Sequence, residues 1–72
     1  MADREHYHFI GVCGTAMGAV ASAMKARGVR VTGSDEKVYP PMSTFLENCG
    51  VEIYEGYRAE NVPEGADVIV IG

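Results

Sequence analysis

The chain has 72 residues, a length that allows one domain at most and favours part of one. Of these residues 47% are hydrophobic and 22% are charged, a composition typical of a globular protein and not of a disordered segment. The net charge of −4 and the scattered positions of the six basic residues argue against nucleic acid as a partner, because phosphate neutralisation needs clustered lysine and arginine. The chain lacks an apolar run of about 18 residues, which excludes a membrane span, and residues 1–6 are too polar for a secretory signal, so we expect a cytoplasmic protein.

The first half of the chain predicts a strand followed by a helix. Residues 7–12 form a short, largely apolar run with a glycine, Gly11, near its end, which is typical of a buried strand. The next apolar residues have the i, i+3, i+4, i+7 spacing of an amphipathic helix: Met17, Val20, Ala21 and Met24. Basic residues in the last turn and Gly28 after it predict the end of this helix.

The second half predicts two more strands around a short helix, and then a last strand. The β-branched run 29–33 predicts a strand. Ser43 is a good N-cap for a short helix over 43–49. A third strand is predicted at 51–54, and after a loop the wholly apolar run 68–71 predicts a fourth.

This alternation of strands and helices predicts an α/β fold, a Rossmann-like parallel sheet with flanking helices. Right-handed crossovers place the first strand centrally and give the spatial order 3-2-1-4. The run 68–71 suits a parallel strand that is buried on both faces. Since nothing follows to cover that strand, we expect residues 1–72 to be a fragment or an otherwise incomplete protein.

The turn between the first strand and the first helix is rich in small residues, Gly11-Val12-Cys13-Gly14-Thr15-Ala16-Met17-Gly18. Such a turn presents main-chain N–H groups at a helix N-terminus, where they and the helix dipole favour an anionic phosphate. We assign these amides to Gly14, Thr15 and Ala16, with the Thr15 hydroxyl as a further donor. The alternative is a tight β–α connection that binds no ligand.

The turn departs from the dinucleotide fingerprint G-x-G-x-x-G/A at Cys13, which stands where the second glycine lets a pyrophosphate approach. An NAD(P)-binding oxidoreductase module is therefore the less favoured alternative. Cys13 itself is either a reactive thiol activated by the helix N-terminus or a small residue that fills a tight turn. Cys13 and Cys49 lack CxxC or zinc-type spacing, so we expect both to be reduced thiols.

Two further candidates lie on the first two strands. In Gly33-Ser34-Asp35, the acidic residue follows the second strand, where nucleotide-binding βαβ units place the carboxylate that hydrogen-bonds a ribose hydroxyl. The alternative is a solvated aspartate in a turn. His6 and His8 alternate along the first strand and point to one side, but a third ligand is not evident, so packing is favoured and no metal site is predicted.

These stretches resemble the Mur ligase family, bacterial enzymes that build the peptide stem of peptidoglycan. The family opens with a strand, a GxGGxGM-like loop, a helix and a strand ending in Gly-Ser-Asp, as residues 8–18 and 31–35 do here. Within the family, Cys13 and the run Val38-Tyr39-Pro40-Pro41-Met42-Ser43-Thr44 are most similar to the murein peptide ligase branch. That branch joins a salvaged tripeptide, L-alanyl-γ-D-glutamyl-meso-diaminopimelate, to UDP-N-acetylmuramate, and the UDP-N-acetylmuramate–L-alanine ligases are the alternative.

The resemblance implies that residues 1–72 are the N-terminal UDP-sugar-binding part of an ATP-dependent amide ligase, truncated before its ATPase and C-terminal domains. ATP and Mg²⁺ would then belong to those missing domains, so we assign no catalytic residue and no cofactor to this segment. The substrate-binding residues that it implies are Gly11, Cys13, Gly14, Thr15, Ala16, Met17, Ser34, Asp35 and Tyr57.

On this basis the glycine-rich turn would face the UDP diphosphate, while Ser34 and Asp35 would approach the uridine. Tyr57 would either stack near the uracil or pack over the edge of the sheet. The loop 39–42 would either wall the uridine pocket or serve as a stiff connector into the second helix.

Overall fold

The computed structural model describes residues 5–72. Its elements in chain order are β1 (His6–Ile10), α1 (Thr15–Ala26), β2 (Arg30–Asp35), α2 (Met42–Asn48), β3 (Glu52–Glu55), a 3₁₀ turn (Ala59–Asn61) and β4 (Val68–Ile71). Every helix and strand expected from the sequence is present, with bounds that differ by one or two residues. Residues 1–4, on which the expected lack of a secretory signal partly rests, lie outside the described residues.

The four strands form one parallel sheet in the order β3-β2-β1-β4, which confirms the predicted α/β topology. The register places Ile10 of β1 beside Ser34 of β2 on one side and beside Ile71 of β4 on the other. The carboxyl ends of the three strands therefore meet at one edge, which is where parallel α/β sheets bind ligands.

The core lies between the sheet and the two helices. Its buried apolar residues are Phe9, Val12, Ala21, Val31, Leu46 and Val51. Helix α1 faces this core with Gly18 and Ala21, whereas Val20, predicted to be part of the apolar stripe, is 50% exposed. The close approach of α1 to α2 explains why this prediction is wrong, because a Cβ on Gly18 would lie 2.8 Å from the Met42 Sδ atom. The helix packs through its glycine, and this turns Val20 outwards.

Helix α1 ends as predicted and α2 begins differently. Gly28 adopts φ +90°, the left-handed conformation that favours glycine, and its N–H donates to the Lys25 carbonyl at 3.0 Å. In α2 the predicted cap Ser43 is instead a buried residue of the first turn, and Pro41 occupies the N-cap position. The preceding Pro41 already has φ −85° and ψ −18°, so the chain becomes helical one residue earlier.

Strand β4 lies at an edge of the sheet, and only one of its faces is covered. Val70 pairs with Phe9 on the helix side and packs against the core. On the other face Ile69 is 40% exposed and Ile71 is 75% exposed, so the expectation that this strand is buried on both faces is wrong for the described residues. Within residues 5–72, no helix has the length and apolar character needed to cross a bilayer.

Candidate functional site

The glycine-rich turn is held in one shape by main-chain hydrogen bonds. The N–H groups of Gly11 and Val12 donate to the Ser34 carbonyl at 2.8 and 3.2 Å, which ties the turn to β2. Gly11 has φ +88°, a conformation that L side chains rarely adopt. The Gly14 N–H donates to the Gly11 carbonyl at 3.1 Å and closes the turn on itself.

The N-terminus of α1 presents free N–H groups to solvent. Its first helical hydrogen bond runs from the Gly18 N–H to the Gly14 carbonyl at 2.7 Å, so the amides of residues 15–17 have no acceptor within the helix. The N-cap residue, Gly14, places no side chain over them, and Thr15 and Ala16 are exposed. The Gly14 amide, which we expected to face a ligand, serves the turn instead, so the available donors shift by one residue towards Met17.

The carboxylate of Asp35 lies beneath this turn. Asp35 is only 7% exposed. Its Oδ2 atom accepts the Cys13 N–H at 2.9 Å, and its Oδ1 atom accepts the Lys37 N–H at 2.9 Å. The hydroxyl of Tyr57 lies 3.4 Å from Oδ1. The end of β2 is thus joined to the glycine-rich turn through a side chain that we expected to face a ribose.

A cleft of about 260 Å³ opens next to the turn, at the carboxyl ends of β1 and β2. Its lining residues are Ile10, Ser34, Tyr57, Arg58, Ala59 and Val62. Ile10 and Ser34 pair across the two strands and alternate with Phe9 and Gly33, which places them on the sheet face opposite the helices. The segment that follows β3 forms the other wall. The structure therefore brings two predicted residues, Ser34 and Tyr57, into one cleft.

Tyr57 lies between the cleft and the glycine-rich turn, and Arg58 is a neighbouring residue of the cleft wall. The Tyr57 ring is 53% exposed, and its hydroxyl oxygen would lie 3.8 Å from a Cβ placed on Gly11. Arg58 was not among the residues predicted from the sequence. The one available signal was that it is the only basic residue between β3 and β4. Its Nε atom would lie 3.5 Å from a Cβ placed on Gly56, so the guanidinium supplies a cation at the wall of the cleft, which favours an anionic ligand.

A chain of buried polar side chains runs below the cleft. His6 Nε2 and His8 Nδ1 each lie 2.8 Å from the Thr32 hydroxyl oxygen. His8 Nε2 lies 3.1 Å from the Ser34 hydroxyl oxygen, and the Tyr54 ring stacks on His8 with centroids 6.3 Å apart. The two histidines lie on one face of β1, as their alternation predicted, and they serve to satisfy buried hydroxyl groups.

Burial lowers the pKa of both histidines below the ordinary value of 6.5. The charge of Arg30 lowers the pKa of His6 further, and His6 does the same to His8. In the unfolded chain each histidine binds a proton near pH 6.5, whereas in the folded chain each binds its proton only at a lower pH. The stabilisation that comes from keeping the two histidines neutral is therefore complete above pH 6.5, and it is lost as the pH falls below 6.5.

We predict that His8 titrates with a midpoint below 6.5 in an NMR pH titration, because the folded protein must desolvate the charged ring. Urea unfolding at about pH 7.5 and about pH 5 should show a smaller pH dependence for His8→Gln than for the wild type. A midpoint at or above 6.5 would contradict this account of the buried ring.

The environment of Cys13 favours a structural role. The thiol is half-buried and packs against the core. Burial raises its pKa, and the neighbouring charge of Asp35 raises it further, so the thiolate is disfavoured. This supports the interpretation of Cys13 as a small residue that fills a tight turn.

The loop 39–42 stands apart from the cleft. Tyr39 is 59% exposed, and none of these residues lines the cleft. Met42 packs on Gly18 of α1. The placement favours a connector into α2.

Known proteins match this chain over nearly its whole length. The family described as "Mur ligase family, catalytic domain" matches residues 6–72. The UDP-N-acetylmuramate--L-alanyl-gamma-D-glutamyl-meso-2,6-diaminoheptandioate ligase of Haemophilus influenzae is 48% identical over 68 residues, which are 94% of this chain and 15% of that protein. A UDP-N-acetylmuramate--L-alanine ligase of Arthrobacter sp. is 49% identical over 65 residues, which are 90% of this chain and 14% of that protein.

Solved structures agree with these relatives. The murein peptide ligase of Psychrobacter arcticus superposes with a TM-score of 0.90 at 48% identity, covering 94% of this chain and 14% of that one. The corresponding ligase of Neisseria meningitidis gives a TM-score of 0.88 at 49% identity, covering 97% of this chain and 22% of that one. This chain spans about one seventh of the length of its curated relatives. Because the family model and the solved structures match nearly the full length of this chain, the chain belongs to the Mur ligase family.

Proposed function

We propose that this chain is the N-terminal UDP-sugar-binding part of an ATP-dependent ligase that attaches a murein tripeptide to UDP-N-acetylmuramate in peptidoglycan recycling. The observation that carries this proposal is the N-terminus of α1, where the amides of residues 15–17 face solvent beside a cleft at the carboxyl edge of the sheet. The names of the Haemophilus influenzae and Escherichia coli relatives, both 48% identical, support the substrate and the tripeptide.

The site suits a nucleoside diphosphate in two adjoining parts. The diphosphate would lie over Gly11 and Gly14 and accept the amides of residues 15–17, where the helix dipole favours negative charge. The uridine would occupy the cleft, with Tyr57 beside the uracil. Arg58, which lines the cleft, would supply a positive charge for the phosphates.

In the reaction, this chain would hold the nucleotide end of the substrate. ATP would activate the muramate carboxylate as an acyl phosphate, and the amine of the tripeptide would displace the phosphate to form the amide. We assign ATP and Mg²⁺ to the parts of the longer relatives that this chain does not cover. The proposal places the enzyme in the cytoplasm, where the free thiols of Cys13 and Cys49 stay reduced.

L-Alanine is the second candidate for the amine substrate, because the Arthrobacter relative is 49% identical and is named as an L-alanine ligase. Both classes of relative are named for UDP-N-acetylmuramate, so the proposed ligand of this site is common to them. An assay of the full-length enzyme with the tripeptide and with L-alanine as competing amines separates the two. Faster consumption of L-alanine would favour the second candidate.

Calorimetric titration tests the ligand directly. UDP-N-acetylmuramate should bind, and NADH should bind more weakly or not at all, because Cys13 stands where a dinucleotide pyrophosphate needs glycine. Preference for NADH would overturn the proposal in favour of an oxidoreductase module. Binding of neither ligand would indicate a turn without a ligand.

We predict that Gly14→Val weakens binding of UDP-N-acetylmuramate by roughly 10- to 100-fold, the range expected for losing one charge-assisted hydrogen bond. A Cβ at this position would already lie 3.3 Å from the Gly11 carbonyl oxygen, and the larger side chain would shield the amides of residues 15–17. Gly65→Val is the matched control, since a Cβ there meets nothing within 4 Å. Equal affinities of the two variants would show that the turn does not bind the diphosphate.

A further inference from the structure

We propose that Asp35 is a positioning residue that shapes the glycine-rich turn for the diphosphate, and that it is not a ligand of the ribose. This inference rests on the proposed function and concerns the same site. It assigns the carboxylate a role that differs from that of the acidic residue at the corresponding place in dinucleotide-binding units.

The bonds of Asp35 carry this proposal. Each carboxylate oxygen already accepts a main-chain N–H at 2.9 Å, from Cys13 on Oδ2 and from Lys37 on Oδ1. Hydrogen bonds from N–H groups to an ionised carboxylate are stronger than those between neutral groups. The main chain of Asp35 is also fixed, because its carbonyl accepts the Gly56 N–H at 2.9 Å. The Tyr57 hydroxyl also lies 3.4 Å from Oδ1, so the carboxylate is enclosed by protein donors, and its 7% exposure leaves little surface for a ribose hydroxyl to approach.

The bond to Cys13 connects Asp35 to the phosphate donors. Cys13 immediately precedes the N-cap residue Gly14, so the position of its amide sets the direction in which α1 starts. Holding that amide orients the free N–H groups of residues 15–17. The negative charge of Asp35 cannot itself attract a diphosphate, and its effect on binding must therefore come from geometry.

Three probes separate a positioning role from ribose contact: UDP, uridine, and 2′,3′-dideoxy-UDP, which lacks both ribose hydroxyls. Asp35→Asn should weaken UDP and dideoxy-UDP by the same factor, roughly tenfold, because the turn is disturbed equally for both. Uridine, which has no phosphate, should bind the variant and the wild type alike. The loss for UDP would occur although the substitution removes a negative charge near the phosphates.

A matched loss for UDP and uridine, with no loss for dideoxy-UDP, would overturn the inference in favour of ribose contact. An unchanged affinity for UDP would overturn it as well. Failure of the wild type to bind UDP would overturn the proposed function and this inference together. Asp67→Asn is the control, because Asp67 also accepts a main-chain N–H, that of His6 at 2.8 Å, but at the opposite edge of the sheet.

A measurement on the wild-type protein covers the case in which Asp35→Asn does not fold. Hydrogen exchange of the Cys13 amide, followed by NMR with and without saturating UDP, reports whether its bond to Asp35 persists. We expect the amide to stay protected in the complex. Loss of protection on UDP binding would mean that the carboxylate turns away to the ligand, and the inference would fail.

Discussion

Phe9→Ala should lower the free energy of unfolding by about 3–5 kcal/mol, the largest effect expected of a single substitution in this chain. Phe9 lies on the central strand β1 with 0% exposure, among the buried residues of the core. The cost combines the lost transfer free energy of the ring with the cavity that remains. A chain of 72 residues buries only about 60% of its unfolded surface, so this loss should leave much of the variant unfolded.

Urea unfolding followed by circular dichroism measures this effect. The chain provides its own control, since the only other phenylalanine, Phe45, is 46% exposed on α2. Phe45→Ala should cost less than about 1.5 kcal/mol, because the ring is already half in water. If the two variants lost equal stability, the core would not be centred on β1.

Gly33→Ala should lower the free energy of unfolding by about 1–3 kcal/mol, although it adds a single methyl group. A Cβ on Gly33 would lie 2.5 Å from the Val12 Cβ atom, and Val12, a residue of the glycine-rich turn, is fully buried. Val12 can yield only by moving the turn, whose Gly11 and Val12 amides are bonded to the Ser34 carbonyl. We therefore expect weaker UDP binding in addition to the loss of stability.

Gly65→Ala is the matched control for this prediction, because a Cβ on Gly65 meets nothing within 4 Å. Thermal unfolding should place that variant within a few degrees of the wild type. A Gly33→Ala protein as stable as Gly65→Ala would show that the turn yields easily, and the turn could not then serve as a rigid anion site.

The topology was predictable because each strand and helix carries its own local signal. Apolar runs bounded by glycine or proline, one amphipathic pattern and the handedness of crossovers suffice for the order 3-2-1-4. Predictions failed where tertiary packing overrides the local pattern. Val20 fits the apolar spacing, yet the helix turns it outwards to bring Gly18 close to its neighbours.

The candidate site was predictable only in part, for a similar reason. The glycine-rich turn is continuous in sequence, so its position at a helix N-terminus could be predicted. The partners of Asp35 could not be, because the sequence does not show which donors converge on a side chain after folding. Arg58 was missed because it reaches the cleft through a connection without periodic pattern, whose path depends on how β3 leads to β4.

The buried contacts of His8 have a consequence for hydrogen placement at the cleft. A neutral imidazole carries one proton, so of its two ring nitrogens one donates and the other accepts. The hydroxyls of Thr32 and Ser34, each bonded to one of those nitrogens, must therefore play opposite parts. When the proton is on Nδ1, the Ser34 hydroxyl donates its hydrogen to Nε2 of the ring. When the proton is on Nε2, the Ser34 oxygen accepts it, and the hydroxyl hydrogen is free to point at whatever occupies the cleft. The tautomer of a ring with no exposed surface thus decides whether the cleft wall at Ser34 offers a donor.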